Sequence, residues 1–460
     1  MDFVDRIRQY TEKQAAALMI DLLSYVSQEN FIRLSYLAER VVHDESNKAI
    51  VRKIRDALME GEDSVASQSF RRVMTQLDPA VLRRFGKTLF IRGFLESANM
   101  RDKFEQEHGF RPPFTMLISP TMRCNLRCKG CYSGLYPQEK GLEFDLLDRI
   151  LTEARDIGIC FVAFSGGEPL MRKKDLFTLI ERHEDMYFMF YTNGTLIDKD
   201  VAARLRDLGN VAAIISLEGF KEATDDRRGP GVFDRIVRAM DLLRDEGLPF
   251  GSSLTVTRGN AYTLLTDEFV DFLIDKGVLI VWLFLFMPVG KDPDVSLMPT
   301  PEQREFIRQR DKEIRATRPI FIADFWNDAP AVGGCIAGGR QYIHINSNGD
   351  VEPCVFTHFA IDNIKDKSLV EVLDSEFFRS IRSKQPYSEN LLTPCMIIDN
   401  PNVYRDLVRS CGAYPTHEGA EHVVTRIAKE LDEYGCKVRA LEDRIWREEY
   451  AEEQQQRASA

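Results

Sequence analysis

Apolar residues follow two different rhythms along this chain, and the change falls near residue 111. Before it they recur every three to four positions. Val4 and Ile7, then Leu18, Met19, Leu22, Leu23 and Val26, mark one face of a helix. A second series runs from "FIRLSYLAERVV" to "VRKIRDALMEG" and ends in a glycine suited to a helix C-cap. Residues 1–110 are therefore expected to form a helical accessory domain that covers the next domain, with a substrate or partner role as the alternative. Beyond it, short apolar runs alternate with longer amphipathic ones. The runs are "FTMLISP", "CFVAFSGGE", "MYFMFYTNG", "VAAIISLEG", "PFGSSLTVT" and "VLIVWLFLFMP". Helical stretches such as "LLDRILTEARDIG" and "FDRIVRAMDLLRDEG" lie between them. Six apolar strands separated by helices imply parallel β/α units, buried on both faces. The expectation is an α/β fold, an open or partial (β/α)6 barrel over 111–300. Its reactive loops leave the C-terminal ends of the strands.

After strand six, "PTPEQREFIRQR" starts a helix: Thr300 caps it, Pro301 suits its first position and Gln303 completes a capping box. "QYIHINSNGDVEPC" alternates around Asn348 and Gly349, a strong hairpin signal. Residues 301–418 read as a small, loop-rich module, and 419–460 as a C-terminal helix with a frayed end, "EEQQQRASA". Between His422 and Trp446, Val424, Ile427, Leu431, Tyr434, Val438, Leu441 and Ile445 are spaced three and four apart. Such a seam docks a helix on its own body or pairs it with another subunit.

Charge narrows the partners. The 460 residues carry a net charge of −11 with no Lys/Arg stripe, which argues against nucleic acid. The opening "MDFVDRIRQYTEK" lacks the apolar core of a signal peptide. No apolar run reaches the roughly 18 to 20 residues that span a bilayer. A cytoplasmic protein, not transmembrane, is expected. Nine cysteines, odd in number and clustered, are no disulfide framework. Cys160 reads as a small core residue and Cys436 as a stray. The other seven form two sets: Cys124, Cys128 and Cys131, then Cys335, Cys354, Cys395 and Cys411.

The first set lies in "SPTMRCNLRCKGCYSG" and offers three ligands where a structural zinc wants four. A cubic iron–sulfur cluster fits better, with one iron left open for chemistry. "SGGEP", "TNGT" and "SLEG" follow the next three strands, so all four motifs meet at one mouth. In "GGE" the glycines allow close backbone approach. In "SLEG", Ser216 and Glu218 share one strand face.

Cx3Cx2C after a first strand and GGEP after the second resemble the radical S-adenosylmethionine (radical SAM) superfamily. The resemblance spans roughly residues 112 to 290. It implies a [4Fe–4S] cluster on Cys124, Cys128 and Cys131 whose fourth iron is chelated by SAM. Reductive cleavage of SAM then gives a 5′-deoxyadenosyl radical that removes hydrogen from a substrate carbon. It further implies that Gly166 and Gly167, with Glu168 nearby, hold the SAM ammonium, and that Ser216 and Glu218 meet its carboxylate and ribose. Arg228, or equally Arg227, would pair with the carboxylate. Asn193 would bond the ribose or simply form a turn. Many members place an aromatic residue before the third cysteine; here Gly130 stands there, and Tyr132 would take over the adenine contact. The second cysteine set looks like a SPASM or twitch module with one further [4Fe–4S] cluster, structural zinc being the alternative.

An enzyme that abstracts hydrogen from an organic substrate is the leading expectation. A non-catalytic iron–sulfur scaffold or redox sensor explains the cysteines but not the convergence of the other motifs. Family resemblance implies peptide or cofactor-precursor modification, and the helical N-terminal region leaves room for a lipid. Phe286 or Met287 could face the pocket, with core packing as the other role; His344 and His358 read as strand or turn residues. A low-potential ferredoxin or flavodoxin is the implied electron donor. Cys354→Ala should lose about one cluster's iron while retaining SAM binding; unchanged iron content would sink the assignment.

Overall fold

The structure, a computed structural model, describes Gln14, Ala17, Ile20 and Asp21 together with residues 27–41, 45–138 and 141–450. The first apolar series (Val4, Ile7, Leu18, Met19, Leu22, Leu23 and Val26) and the end "EEQQQRASA" lie outside the described residues. All six expected strands are present: β1 (Thr115–Ile118), β2 (Phe161–Phe164), β3 (Tyr187–Thr192), β4 (Val211–Leu217), β5 (Phe250–Val256) and β6 (Ile280–Leu285). They pair in parallel, in chain order. Two more parallel strands extend the sheet. β7 (Phe321–Asp324) pairs with β6, and β8 (Tyr342–Ile345) pairs with β1 at the other edge. β9 (Val351–Glu352) folds back antiparallel on β8 around Asn348 and Gly349, as the hairpin signal predicts. Strands from the C-terminal segment thus share the barrel's own sheet, and the barrel stays open because β7 and β8 do not pair.

Both faces of the strands are apolar. Val162, Phe164, Phe188, Phe190, Ile215 and Leu217 turn outward under the helices. Leu117, Ala163, Met189 and Ile214 turn inward, ringed by half-buried Tyr191, Trp282 and Tyr342. Burial on two sides is why these strands read as unbroken apolar runs.

The helices of the N-terminal region, from Gln28–Val41 to Ser97–His108, reach the loops that precede the strands. Arg72 donates to the carbonyls of Ile274 at 3.0 Å, Val278 at 3.1 Å and Pro319, around the starts of β6 and β7. Gln76 Nε2 donates to Gly277 O at 2.6 Å, Asp78 N to Gly247 O at 2.9 Å, and Ser97 Oγ to Gly158 O at 2.7 Å. Phe94, Phe114, Phe161, Tyr187 and Phe85 form a continuous run of ring contacts across the same end. The helical region therefore covers the end of the barrel opposite the motif loops.

The capping box at Thr300 and Gln303 opens the helix Pro301–Thr317. The C-terminal helix is Ala428–Glu449, starting later than its periodicity suggests because a 3₁₀ turn, Ala420–Val424, precedes it. Its seam is docked on its own body. Leu431, Tyr434, Val438 and Ile445 are buried, and Tyr434 Oη donates to Pro299 O at 3.0 Å. Arg304 and Asp399 form a buried ion pair of 2.6 Å beneath it. Glu442 on the same helix is buried too, and its Oε2 has no hydrogen-bond partner. Burial pushes its pKa up to about 7 despite Arg304. The folded state therefore holds this proton longer than the unfolded chain, and stability falls as pH rises from about 4.5 through about 7. Glu442→Gln should raise the urea midpoint at pH 8 and change it little at pH 5. Equal shifts at both pH values would contradict the buried-carboxylate account.

Candidate active site

The cysteine loop leaves the C-terminal end of β1, and Ser119 N donates to Ile345 O at 2.8 Å as the chain departs. Its first residues are gripped by the loop after β2. Gly167 N donates to Thr121 O at 3.0 Å and Glu168 N to Arg123 O at 2.8 Å. A Cβ on Gly166 would stand 2.4 Å from Thr121 O, and one on Gly167 would stand 2.3 Å from Arg123 O. Gly166 also has φ +105°, so both glycines are required where they stand.

Glu168 is fully buried and ties the next loop into the same unit. Its carboxylate accepts from Leu170 N at 3.0 Å, Thr192 Oγ1 at 2.8 Å and Asn193 N at 2.8 Å. Burial raises its pKa to about 7, and the three donors pull the other way. Asn193 Nδ2 donates to Asn125 Oδ1 at 2.9 Å and approaches Cys124 Sγ at 3.8 Å, while its Oδ1 accepts from Thr195 N at 2.9 Å. The Asn193 side chain thus both forms a turn and touches the cysteine loop.

Cys124, Cys128 and Cys131 are half-buried at this mouth. Burial raises the Cys124 thiol to about 11 and raises Cys128 as well, with Arg228 opposing the shift at Cys128. Among the described residues no three Cys, His, Asp or Glu side chains close around a single ion. Three thiols are one ligand fewer than a structural zinc takes, whereas a cluster takes each thiolate on a different iron.

Glu218, at the end of β4, is buried under two arginines. Arg228 donates through Nε and Nη2 to Glu218 Oε1 at 2.9 and 2.6 Å. Arg227 Nη1 stands 2.6 Å from Glu218 Oε2 as an ion pair outside hydrogen-bonding geometry. Arg228 lies within electrostatic reach of Cys128 and Cys131. Arg227 also lies within electrostatic reach of Cys128, and it exchanges backbone and side-chain hydrogen bonds with Lys129 of the cysteine loop. Ser216 is half-buried on the same strand, paired with Ser253 of β5, and its hydroxyl has no hydrogen-bond partner among the described residues.

Tyr132 is half-buried; its hydroxyl bonds Ser165 Oγ at 2.8 Å and donates to Gly166 O at 3.3 Å, and its ring meets Phe356 edge-on. Phe286 and Met287 are both buried in the main core. The Phe286 ring fills the space beside Gly130, 2.8 Å from where a Cβ would be, and lies under Arg227. Its apolar run gives no sign of this position; the ring and the glycine explain each other only in three dimensions.

In the C-terminal module, Cys354 and Cys395 lie within electrostatic reach of Cys335, and Tyr387 within reach of all three. Burial raises all three thiols, Cys354 to about 12. Cys411 follows the helix Pro401–Ser410 and, like Cys395, packs against the main core. His344 and His358 are buried strand and turn residues, as expected. His344 bridges Ser119 Oγ at 2.7 Å and Glu352 Oε2 at 2.6 Å. Glu352 Oε1 accepts from Tyr136 Oη at 2.7 Å and Thr416 Oγ1 at 2.6 Å. Burial alone would raise Glu352, but these partners hold it below its ordinary value. His358 contacts His417 Nε2 at 2.8 Å, and burial pushes it down to about 3.

Residues 118–273 match the Radical SAM superfamily, and 335–396 match an iron–sulfur cluster-binding domain, SPASM. Mycofactocin maturase MftC of Mycobacterium tuberculosis is 30% identical over 299 residues, covering 61% of this chain and 75% of that protein. An AdoMet-dependent heme synthase of Nitratidesulfovibrio vulgaris is 29% identical over 304 residues, 58% of this chain and 81% of the relative. PqqA peptide cyclase of Gluconobacter oxydans is 27% identical, covering 57% and 76%. The solved structure of Streptococcus suis SuiB bound to S-adenosylmethionine shares the fold, with TM-score 0.54, 21% identity and coverage of 65% of this chain and 76% of SuiB. The first matched domain binds a [4Fe–4S] cluster with SAM, and the second binds a further iron–sulfur cluster. This chain belongs to the radical SAM superfamily and is an enzyme of the kind that carries an auxiliary iron–sulfur domain.

Proposed function

We propose that Cys124, Cys128 and Cys131 hold the cluster to which SAM binds, and that Gly166, Gly167, Asn193, Ser216, Glu218 and Arg228 form the SAM pocket. The observation that carries this reading is the Glu218–Arg228 pair standing beside Cys128 and Cys131, at the end of the strand whose Ser216 hydroxyl is free. Glu168 acts from behind, fixing the loops of β2 and β3, and Tyr132 lines the wall between this site and the C-terminal module. Cys335, Cys354 and Cys395 hold the auxiliary cluster, with Cys411 as the remaining candidate ligand. When bound, the cluster and SAM supply the one-electron chemistry that takes a hydrogen atom from a substrate carbon. A low-potential ferredoxin or flavodoxin is the electron donor this requires.

The substrate is a peptide or a cofactor precursor, with the peptide favoured. Two of the relatives are a peptide cyclase and a mycofactocin maturase, and SuiB has been solved with its precursor peptide SuiA, sharing this fold at TM-score 0.54. Half-buried Tyr191, Trp282, Phe284 and Phe325, on β3, β6 and just after β7, contact one another ring to ring. Such a set of rings receives an apolar part of a substrate without desolvating a charge. The apolar seam of the C-terminal helix is spent on the protein's own body and is not needed for a partner subunit.

The protein, reconstituted anaerobically with iron and sulfide and given dithionite and SAM, should release 5′-deoxyadenosine. Cys128→Ala should release at least about 100-fold less, the scale of losing an essential group. Full iron with no 5′-deoxyadenosine from the wild type would defeat the reading. Glu218→Gln should weaken SAM binding by equilibrium dialysis about tenfold, the scale of one lost charge-assisted hydrogen bond. Unaltered affinity would remove Glu218 from the pocket.

A further inference from the structure

One tyrosine hydroxyl bonds an auxiliary cysteine, and a second is buried within electrostatic reach of all three. Tyr342, on the inward face of β8, donates its hydroxyl hydrogen to Cys354 Sγ at 2.9 Å. The same oxygen accepts from Val355 N at 2.8 Å, which fixes the hydroxyl so that its hydrogen points at the sulfur. The Tyr387 hydroxyl is buried and has no hydrogen-bond partner among the described residues. Gln385 lies nearby, but its amide nitrogen is spent on the carbonyls of Cys335 at 3.3 Å and Ala337 at 2.9 Å, and its Oε1 is likewise without a partner. Tyr387 nevertheless lies within electrostatic reach of Cys335, Cys354 and Cys395. A buried hydroxyl without a partner is costly and needs an explanation. The Tyr387 hydroxyl and Gln385 Oε1 do not bond each other, which leaves the sulfurs within the tyrosine's electrostatic reach, and whatever they hold, as the other acceptors.

We propose that Tyr342 and Tyr387 are hydrogen-bond donors to the auxiliary cluster and its cysteine ligands, and hold its reduction potential above the value its cysteines alone would set. This rests on the reading that Cys335, Cys354 and Cys395 bind that cluster. The added electron of the reduced state spreads over the sulfurs, so a donor binds the reduced form more strongly than the oxidised one and raises the potential. The carboxylate with electrostatic reach to Cys335 and Cys395 is Asp399, and Arg304 neutralises it at 2.6 Å. Arg340 reaches Cys335 and Glu352 reaches Cys354, so the tyrosines add hydrogen bonds to surroundings that carry charges of both signs. Tyr342 also belongs to the interior wall of the barrel, so the residue that tunes the cluster is in contact with the chamber it serves.

Tyr342→Phe and Tyr387→Phe, reconstituted anaerobically, are titrated potentiometrically with electron paramagnetic resonance as the readout. Each should keep its full iron and lower the midpoint of the auxiliary cluster by about 60 mV, a tenfold change in a one-electron equilibrium. The cluster on Cys124, Cys128 and Cys131 should keep its midpoint. An unmoved auxiliary midpoint with full iron overturns the role of that tyrosine. Should a Phe variant lose iron, 3-fluorotyrosine at the same position gives a stronger donor of the same shape. It should raise the midpoint, and no rise overturns the inference. Cys354→Ala separates the two levels. Iron lost there with no shift in the tyrosine variants defeats this inference alone, and iron fully retained defeats the cluster assignment beneath it.

Discussion

A methyl group has no room on Gly167, because Arg123 O and Met122 O stand 2.3 and 2.4 Å from where its carbon would be. That contact presses the loop after β2 against the entrance of the cysteine loop, and everything at the mouth depends on it. The neighbouring Glu168 is buried at the junction and accepts three hydrogen bonds, two of them from the end of β3 and the loop that follows it. Burying a carboxylate is expensive unless donors surround it, and these donors are the loops it must hold in place. Three loops from three strands therefore form one rigid piece, with the cysteines along its edge.

A second junction fastens this piece to the C-terminal module. His344 reaches from β8 to Ser119 at the start of the cysteine loop, and its other nitrogen binds Glu352. Glu352 also takes the hydroxyls of Tyr136, from the far end of the cysteine loop, and Thr416. Every group in this network is buried, and buried networks hold one geometry because partial satisfaction is costly. Glu352 lies two residues before Cys354, so the two cysteine sets are held by one network, which fixes their relation more firmly than apolar packing alone would.

Much of the barrel was legible because its strands are buried on two sides and read as apolar runs. The cysteines, the glycine pair and "SLEG" were legible because their chemistry is written in residue type and spacing. β7 and β8 were not recognised as barrel strands: each is four residues long and separated from the barrel's helical rhythm by loops, and only long-range pairing with β6 and β1 defines them. Nor was the position of Phe286 beside Gly130, since neither residue is unusual in its own segment. The double clamp of Glu218 by Arg227 and Arg228 shows why adjacency in the chain leaves them equal: both arginines pair with the carboxylate and both reach Cys128, while Arg228 adds two hydrogen bonds to Glu218. Tyr342 was hidden for a simpler reason, because a tyrosine in an alternating strand signals packing until the sulfur beside its hydroxyl is seen.

The helical region packed under the strands has a consequence for traffic. Arg72, Gln76, Asp78 and Ser97 bind the loops there, and a row of rings from Phe94 to Phe85 lies across the same end. Traffic between the starts of the strands is blocked. Whatever reaches the cysteines comes past the motif loops or through the gap between β7 and β8, and leaves by one of the same two routes.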